Sequence, residues 1–140
     1  MTPEDKELLL KDICSKLPYG VKLQHVKNTD SIVELYSIDL DDFYCKIQFY
    51  TYKGKALTVS DEGKLLKPGG MLRYKPYLFP LSSMTEEQRK EFDTTLKYLP
   101  AEEIDIWTRD TYDWCDKNHF DYRGLIPMGL ANNATGLNIY

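Results

Sequence analysis

An alternation of apolar and polar side chains over residues 43–52 is the strongest constraint on the fold of this chain. The run reads FYCKIQFYTY, in which every second residue from Phe43 to Phe49 is apolar. Because successive side chains of a strand point to opposite faces, this period of two predicts a strand with one face on the core and the other toward solvent or a partner.

Further strands are predicted on both sides of this run. Residues 21–27 and 32–38 are extended by composition, and residues 56–60 follow the turn at residues 53–55. The short connections favour an antiparallel meander of three or four strands over crossover units. Residues 61–80, which contain several prolines and glycines, are predicted to be irregular, with at most one short strand near Met71 to Tyr74.

Three helices are predicted, one before the strands and two after them. Thr2 can cap the first helix with Pro3 at its first position, and the TEEQ capping box at residues 85–88 opens the second. Pro100 separates the second helix from a third, which is expected over residues 102–118. The inward stripe of the third helix is expected to contain Ile104, Trp107, Thr111, Trp114 and Cys115.

These elements predict one α+β domain spanning residues 1–140. Its parts are an N-terminal helix, a three- to four-stranded antiparallel meander, and two C-terminal helices packed on one face. Beyond residue 119 the periodicity is lost, so the tail is expected to be either a packed extension or partly loose. The length of 140 residues is enough to bury a sizeable core.

The charge of the chain is acidic overall but unevenly distributed. The net charge is −4, which argues against a general nucleic-acid binder. Residues 53–75 carry six bases and two acids, whereas residues 86–121 carry eleven acids and five bases. Two oppositely charged surfaces are therefore expected. The N-terminus lacks a signal peptide and no apolar run is long enough to cross a bilayer, so a cytoplasmic location without a membrane partner is predicted.

No cofactor, metal or catalytic motif is present in the sequence. Cys14, Cys45 and Cys115 form no CxxC pair and are predicted to be buried, reduced thiols. The histidines show no metal-ligand spacing, and His119 is expected to cap the third helix through its side chain. Although Cys115 and His119 have i, i+4 spacing, the neighbouring acids oppose a thiolate, so a structural role is favoured and no catalytic residue is assigned.

Two segments are candidates for a binding surface. The basic 64–77 loop combines glycines, cations and tyrosines that could hold a phosphate and stack on a base, although a solvated loop is the simpler interpretation. The 119–123 turn carries residue types common in binding hot spots, whereas Trp107 and Trp114 are expected in the core. The candidate binding residues are Lys64, Lys67, Arg73, Tyr74, Tyr77, His119, Tyr122 and Arg123.

Two segments also carry a resemblance to other proteins. They are residues 75–87 (KPYLFPLSSMTEE) and residues 119–126 (HFDYRGLI), the latter followed by GLA at residues 129–131. With them the chain resembles small uncharacterised proteins of gut Bacteroidetes and their phages and prophages. That resemblance implies a bacterial or phage setting but transfers no catalytic residue. Residues 132–135 (NNAT) depart from the tail expected in that group.

The functional hypothesis is a small non-enzymatic binding protein of mobile-element or phage origin, with an unknown protein partner. The alternative is a counter-defence type of protein that sequesters a nucleotide-like anion, and a small enzyme is the third hypothesis. An exposed aromatic surface would favour a protein partner, and a buried polar cluster with strongly perturbed pKa values would favour an enzyme. The expected Tyr44, Tyr50 and Tyr52 face could also pair two copies.

Overall fold

The structure of the protein is a computed structural model that describes residues 2–26, 32–39, 46–53, 56–64 and 74–140, with side chains at 2–24, 26, 32–35 and 74–140. The helices are α1 (Pro3–Lys16), α2 (Glu86–Thr95) and α3 (Arg109–Lys117). The strands are β1 (Lys22–His25), β2 (Ile32–Asp39), β3 (Lys46–Lys53), β4 (Ala56–Lys64), β5 (Tyr74–Pro80), β6 (Lys97–Leu99), β7 (Ile104–Ile106), β8 (Phe120–Asp121) and β9 (Asn132–Asn133). The expected α+β class, with an N-terminal helix and two C-terminal helices, is confirmed.

The larger sheet has the strand order β4-β3-β2-β1-β5-β8, and β9 also pairs with β5. Strands β1 to β4 pair consecutively and antiparallel, and β1 pairs antiparallel with β5 on its other edge. The register places Leu23 opposite Val33 on one side and Pro76 on the other. The short strands β8 and β9 pair parallel with β5, so the C-terminal part of the chain extends this edge.

Two clusters of buried side chains hold the helices. In the first, Leu9 and Ile13 of α1 pack against residues of β1, β2 and β5, together with Leu125, Leu130 and Ala131 of the tail. In the second, Phe92 of α2 and Cys115 of α3 surround Phe120. The strand β5 contributes to both, because its neighbouring residues Leu78 and Phe79 point to opposite faces and pack in the first and second cluster respectively.

The start of α1 follows the expected signals. Thr2 Oγ1 accepts a hydrogen bond from the Asp5 N–H at 3.1 Å, and Pro3 occupies the first turn, where its missing N–H costs nothing. A 3₁₀ turn over Leu17–Tyr19 and Gly20, with φ of 82°, end the helix. The capping box of α2 is also confirmed, because Thr85 and Gln88 exchange hydrogen bonds of 2.9 and 3.1 Å.

The prediction of an irregular segment over residues 61–80 is wrong at both ends. The strand β4 continues to Lys64, and β5 begins at Tyr74. Pro76 lies inside β5 opposite Leu23, whereas β9 pairs only from Tyr77 onward. Proline is tolerated in a strand at a position where no neighbouring strand would accept a hydrogen bond from its N–H. The presence of Pro76 therefore did not exclude a strand here.

The prediction of a third helix starting near residue 102 is also wrong. The segment Ile104–Ile106 pairs antiparallel with Lys97–Leu99, and the helix begins only at Arg109. Thr108 caps α3 through a box in which its N–H and hydroxyl bond to Thr111. The two β-branched isoleucines favour the extended conformation. Leu99 therefore belongs to β6, and Ile104, expected on the inward stripe, is exposed.

The cysteine prediction holds for one residue and fails for another. Cys115 is buried in the second cluster, whereas Cys14 is an exposed free cysteine. The buried face of α1 carries Leu9, Ile13 and their neighbours at helical spacing, and position 14 falls beside that stripe. Cys45 lies outside the described residues.

The tail after residue 119 is a packed extension. Both Asp121 carboxylate oxygens accept backbone hydrogen bonds of 2.8 Å, from Leu125 and Ile126. This contact turns the chain so that Leu125 and Leu130 enter the first cluster. The Ala134 N–H then donates to the Leu78 carbonyl at 2.8 Å.

We expect Leu78→Ala to lower the free energy of unfolding by about 3 kcal/mol, because it leaves a cavity where the tail, α1 and the sheet meet. Leu78 is 1% exposed. Leu137→Ala, at a position 49% exposed, is the matched control and should change it by no more than about 0.5 kcal/mol. Urea unfolding followed by circular dichroism measures both variants, and an equal loss would show that Leu78 is not a core residue.

Candidate functional site

The segment between α2 and α3 forms a short β-hairpin of strands β6 and β7. The helix α2 ends because Leu96 is extended, with φ of −76° and ψ of 151°. Four residues then turn the chain between the strands, and Glu103 in this turn adopts a positive φ of 53°. The register pairs Lys97 with Ile106 and Leu99 with Ile104.

Two threonine side chains fix the base of this hairpin. The Thr95 carbonyl accepts hydrogen bonds from Thr108 Oγ1 at 2.8 Å and from Thr111 Oγ1 at 3.0 Å. The last carbonyl of α2 is thereby tied to the first turn of α3. The hairpin thus leaves the body of the protein from a fixed base.

The hairpin exposes large apolar side chains. Tyr98 is 57% exposed, Ile104 46% and Ile106 37%. Tyr112 of α3 is exposed beside them, since its ring centroid lies 5.1 Å from that of Trp107, the residue after β7. The register places Ile104 and Ile106 on one face of the hairpin and Tyr98, opposite Asp105, on the other. These three residues and Tyr112 are together called the hairpin surface below.

A chain of ring contacts connects the hairpin surface to the interior. Trp107 packs edge-on against Phe92 at 5.3 Å, and Tyr112 packs against Tyr122 at 5.3 Å. Such edge-to-face contacts stabilise beyond the area they bury. Trp107 and Trp114 are half-buried members of the second cluster, as expected from the sequence. The hairpin surface therefore rests on a rigid aromatic support.

The charges around the hairpin surface are predominantly negative. Residues 97–113 contain two bases, Lys97 and Arg109, against five exposed acids. The acids are Glu102, Glu103, Asp105, Asp110 and Asp113. Part of the acidic half expected from the sequence is thus concentrated around an apolar patch.

A buried ionic cluster joins α1 to α3 on the inner side of Tyr122. Lys16, only 1% exposed, bonds through Nζ to Asp12 Oδ1 and, at 3.2 Å, to Asp116 Oδ1. Arg123 Nη1 lies 2.8 Å from Asp12 Oδ1, and the Tyr122 hydroxyl lies 2.9 Å from Asp116 Oδ1. Two acids and two bases balance each other, as buried charges require.

The sequence contained a signal for this cluster that was not used. Asp12 and Lys16 lie on the same helical stripe as Leu9 and Ile13, and charged residues on an apolar stripe need partners elsewhere. The Ile-x-Ile alternation after Pro100, followed by the threonine box at Thr108, was the corresponding signal for the hairpin.

His119 does not cap α3 through its side chain. Asn118 Nδ2 instead donates to the Trp114 carbonyl at 2.8 Å, while the backbone of His119 turns with φ of 61°. Its ring stacks on Tyr140 with centroids 3.7 Å apart. Burial, reinforced by Lys16 and Lys22, lowers the pKa of His119 to about 4. Within the described residues, its buried Nδ1 atom has no hydrogen-bond partner.

Burial shifts the pKa of other groups in the direction that favours their neutral forms. Burial raises the pKa of the Cys115 thiol to about 11 and, with the hydrogen bond to Asp116, that of Tyr122 to about 12. Burial also raises the pKa of Asp12, against the opposing effects of Lys16 and Arg123. A thiol that stays protonated is a poor nucleophile at neutral pH, which supports the structural interpretation of Cys115.

The candidate residues expected from the sequence fall into three groups: residues whose side chains lie outside the described part of the chain, two buried tyrosines, and the residues of the turn after α3. The side chain of Lys64, together with Lys67 and Arg73, lies outside the described part of the chain. Tyr74 and Tyr77 are buried, Tyr74 in the first cluster, so neither described ring is available at the surface to stack on a base.

The structure brings Tyr122 and Arg123 into contact, whereas the His119 ring stacks on Tyr140. His119 is buried, whereas Tyr122 and Arg123 are half-buried. The Arg123 guanidinium covers the Tyr122 ring at 4.4 Å, and Lys16 lies 4.7 Å from the same ring. The described side chains include no cluster of three or more histidine, cysteine or acidic groups that could hold a metal ion. None of the described helices has the length and hydrophobicity needed to cross a membrane.

No protein-family model matches the chain, and no curated protein or solved structure matches it either. The resemblance to small proteins of gut Bacteroidetes and their phages accordingly stays a prediction.

We expect Lys16→Met to lower the free energy of unfolding by about 3 kcal/mol or more, since it leaves two buried carboxylates opposite a single arginine. The matched control is Lys11→Met on the same helix, because Lys11 forms an exposed pair with Glu7 at 3.1 Å. The control should change the free energy of unfolding by less than about 1 kcal/mol. Equal losses in chemical denaturation would show that the cluster does not join the helices.

Acidification should destabilise the protein through His119. The unfolded histidine takes up a proton below pH 6.5, whereas the folded one resists protonation down to about pH 4. Stability is therefore lost as the pH falls from 6.5 to about 4. His119→Asn, which tolerates the positive φ, should show a shallower dependence of unfolding free energy on pH in this range. Identical slopes for the two proteins would contradict the assignment.

Proposed function

We propose that the protein is a small non-enzymatic binding protein that contacts a protein partner through the hairpin surface. The observation that carries this proposal is the exposure of Tyr98, Ile104 and Ile106 on a hairpin with a fixed base. Exposed apolar residues on both faces of one short hairpin indicate an interaction site, and tyrosine is common among hot-spot residues.

The rigid base of the hairpin favours binding over a passive connecting role. A connection between two helices needs only a few residues, and here it is extended into two paired strands. An isolated two-stranded hairpin is marginally stable in water. The hydrogen bonds to the Thr95 carbonyl and the packing of Trp107 hold its base, so less conformational freedom remains to be lost when a partner binds.

The electrostatics of the buried groups argue against the enzyme hypothesis. A general base or nucleophile needs a pKa moved toward the working pH, whereas burial moves the pKa of Cys115 to about 11 and that of His119 to about 4. The ionic cluster does contain a perturbed carboxyl group, Asp12, but Lys16 and Arg123 hold its Oδ1 atom, and its Oδ2 atom is buried without a hydrogen-bond partner among the described residues. Its simplest role is to join α1 to α3.

Nucleotide sequestration stays the alternative. It depends on Lys64, Lys67 and Arg73, and a phosphate site there would have to work without base stacking by Tyr74 or Tyr77, which are buried. The bacterial mobile-element or phage setting is proposed from the resemblance at residues 75–87 and 119–126. Native mass spectrometry with added nucleotides tests the alternative directly, because a retained adduct would favour it over a protein partner.

A photo-crosslinking amino acid at position 98 should trap a defined partner in cells of a gut Bacteroidetes species. The same group at position 137, which is similarly exposed but remote in sequence from the hairpin, is the control. We expect Ile104→Ser/Ile106→Ser to remove the crosslink from position 98 while leaving the unfolding free energy nearly unchanged. Crosslinks of equal yield and pattern at both positions would refute the hairpin surface as the binding site.

A further inference from the structure

We propose that the partner contributes an extended, basic segment that pairs as an additional strand with the outer edge of β7. This inference rests on the proposed function and names the chemistry of its partner. The small sheet consists of β6 and β7 alone, and within the described residues neither outer edge is paired with a further strand. An exposed strand edge offers backbone N–H and C=O groups to another chain.

Charge distinguishes the two edges of the hairpin. The strand β6 carries Lys97, whereas β7 carries Asp105 and follows directly on Glu102 and Glu103 in the turn. A basic segment is attracted to the β7 edge and is disfavoured beside Lys97. The exposed Asp110 and Asp113 of α3 extend the negative field beyond the strand.

Side-chain alternation along β7 specifies the pattern of the partner. Ile104 and Ile106 point to one face of the hairpin, the face that also carries Leu99, and Asp105 points to the other. A strand beside β7 would therefore place apolar residues next to the isoleucines and lysine or arginine next to Asp105. The partner sequence that fits is an alternation of basic and apolar residues.

A second copy of the same chain is a poorer occupant of this edge. Pairing two β7 edges would bring the acidic turns or the Asp105 side chains of both copies together, and like charges on neighbouring strands are destabilising. The net charge of −4 opposes self-association further. The basic partner is favoured over a homodimer on these grounds.

Three labelled peptides test strand pairing by fluorescence anisotropy. The first alternates lysine and valine over about six residues, the usual length of a strand. The second replaces lysine by glutamate, and the third keeps the lysine sequence but carries N-methyl groups on the amides of one edge. We expect the first peptide to bind at least about tenfold more tightly than either of the others. The second peptide has lost the positive charge, and the third has lost the backbone N–H donors of one edge. Equal binding of the N-methylated peptide would overturn strand pairing.

Variants of the protein locate the binding edge. Glu102→Gln/Glu103→Gln should weaken the lysine peptide severalfold, whereas Glu4→Gln/Glu7→Gln, which removes two exposed acids of α1, should leave it unchanged. Equal effects of the two variants would show general charge attraction and overturn the assignment. Sedimentation of the free protein as a dimer that Asp105→Lys alters would assign the edge to a second copy instead.

The peptide and crosslinking experiments together distinguish an error in the basic-strand inference from an error in the proposed function. If position 98 gives its specific crosslink while the lysine peptide does not bind, the binding function stands and the basic strand is wrong. If neither position 98 nor the peptide yields an interaction, the proposed function fails as well.

Discussion

The buried pairing of Lys16 with Asp12 and Asp116 is the interaction on which the arrangement of the helices depends. It joins α1, which covers the sheet, to α3, which packs in the second cluster. Arg123 and Tyr122 extend the same cluster, so the turn after α3 is fixed by the helix at the other end of the chain. Because charges buried without partners are costly, each of these groups restricts the positions of the others.

The C-terminal segment completes the sheet and both clusters. Strands β8 and β9 pair parallel with β5, and Leu125 and Leu130 fill the first cluster between them. The Tyr140 hydroxyl donates to the Tyr77 carbonyl at 2.9 Å and accepts from the Lys22 N–H at 3.0 Å, while its ring covers His119. The strand β5 therefore lies inside the sheet only because residues distant in sequence return to it.

Local signals explain which elements could be predicted from the sequence. Thr2 with Pro3, and Thr85 with Gln88, specify helix starts through contacts three residues apart, and both helices begin where expected. Pro76 misled the prediction because β5 depends on long-range pairing with β1 and the tail. Ile104 misled it for a different reason, since β7 pairs with the nearby β6 and the residue had been assigned to a helical stripe. The hairpin surface was missed with it.

The described residues reverse the usual distribution of side chains at two places. Lys16 and Asp12 are buried, and their cost is offset within the chain because four charges neutralise one another. Ile104 and Ile106 are exposed, while Trp107 after β7 packs on Phe92. Removing water from apolar groups of this kind lowers the free energy of the system. Since the first reversal is balanced internally and the second is not, the exposed hairpin is the site at which we propose that a partner binds.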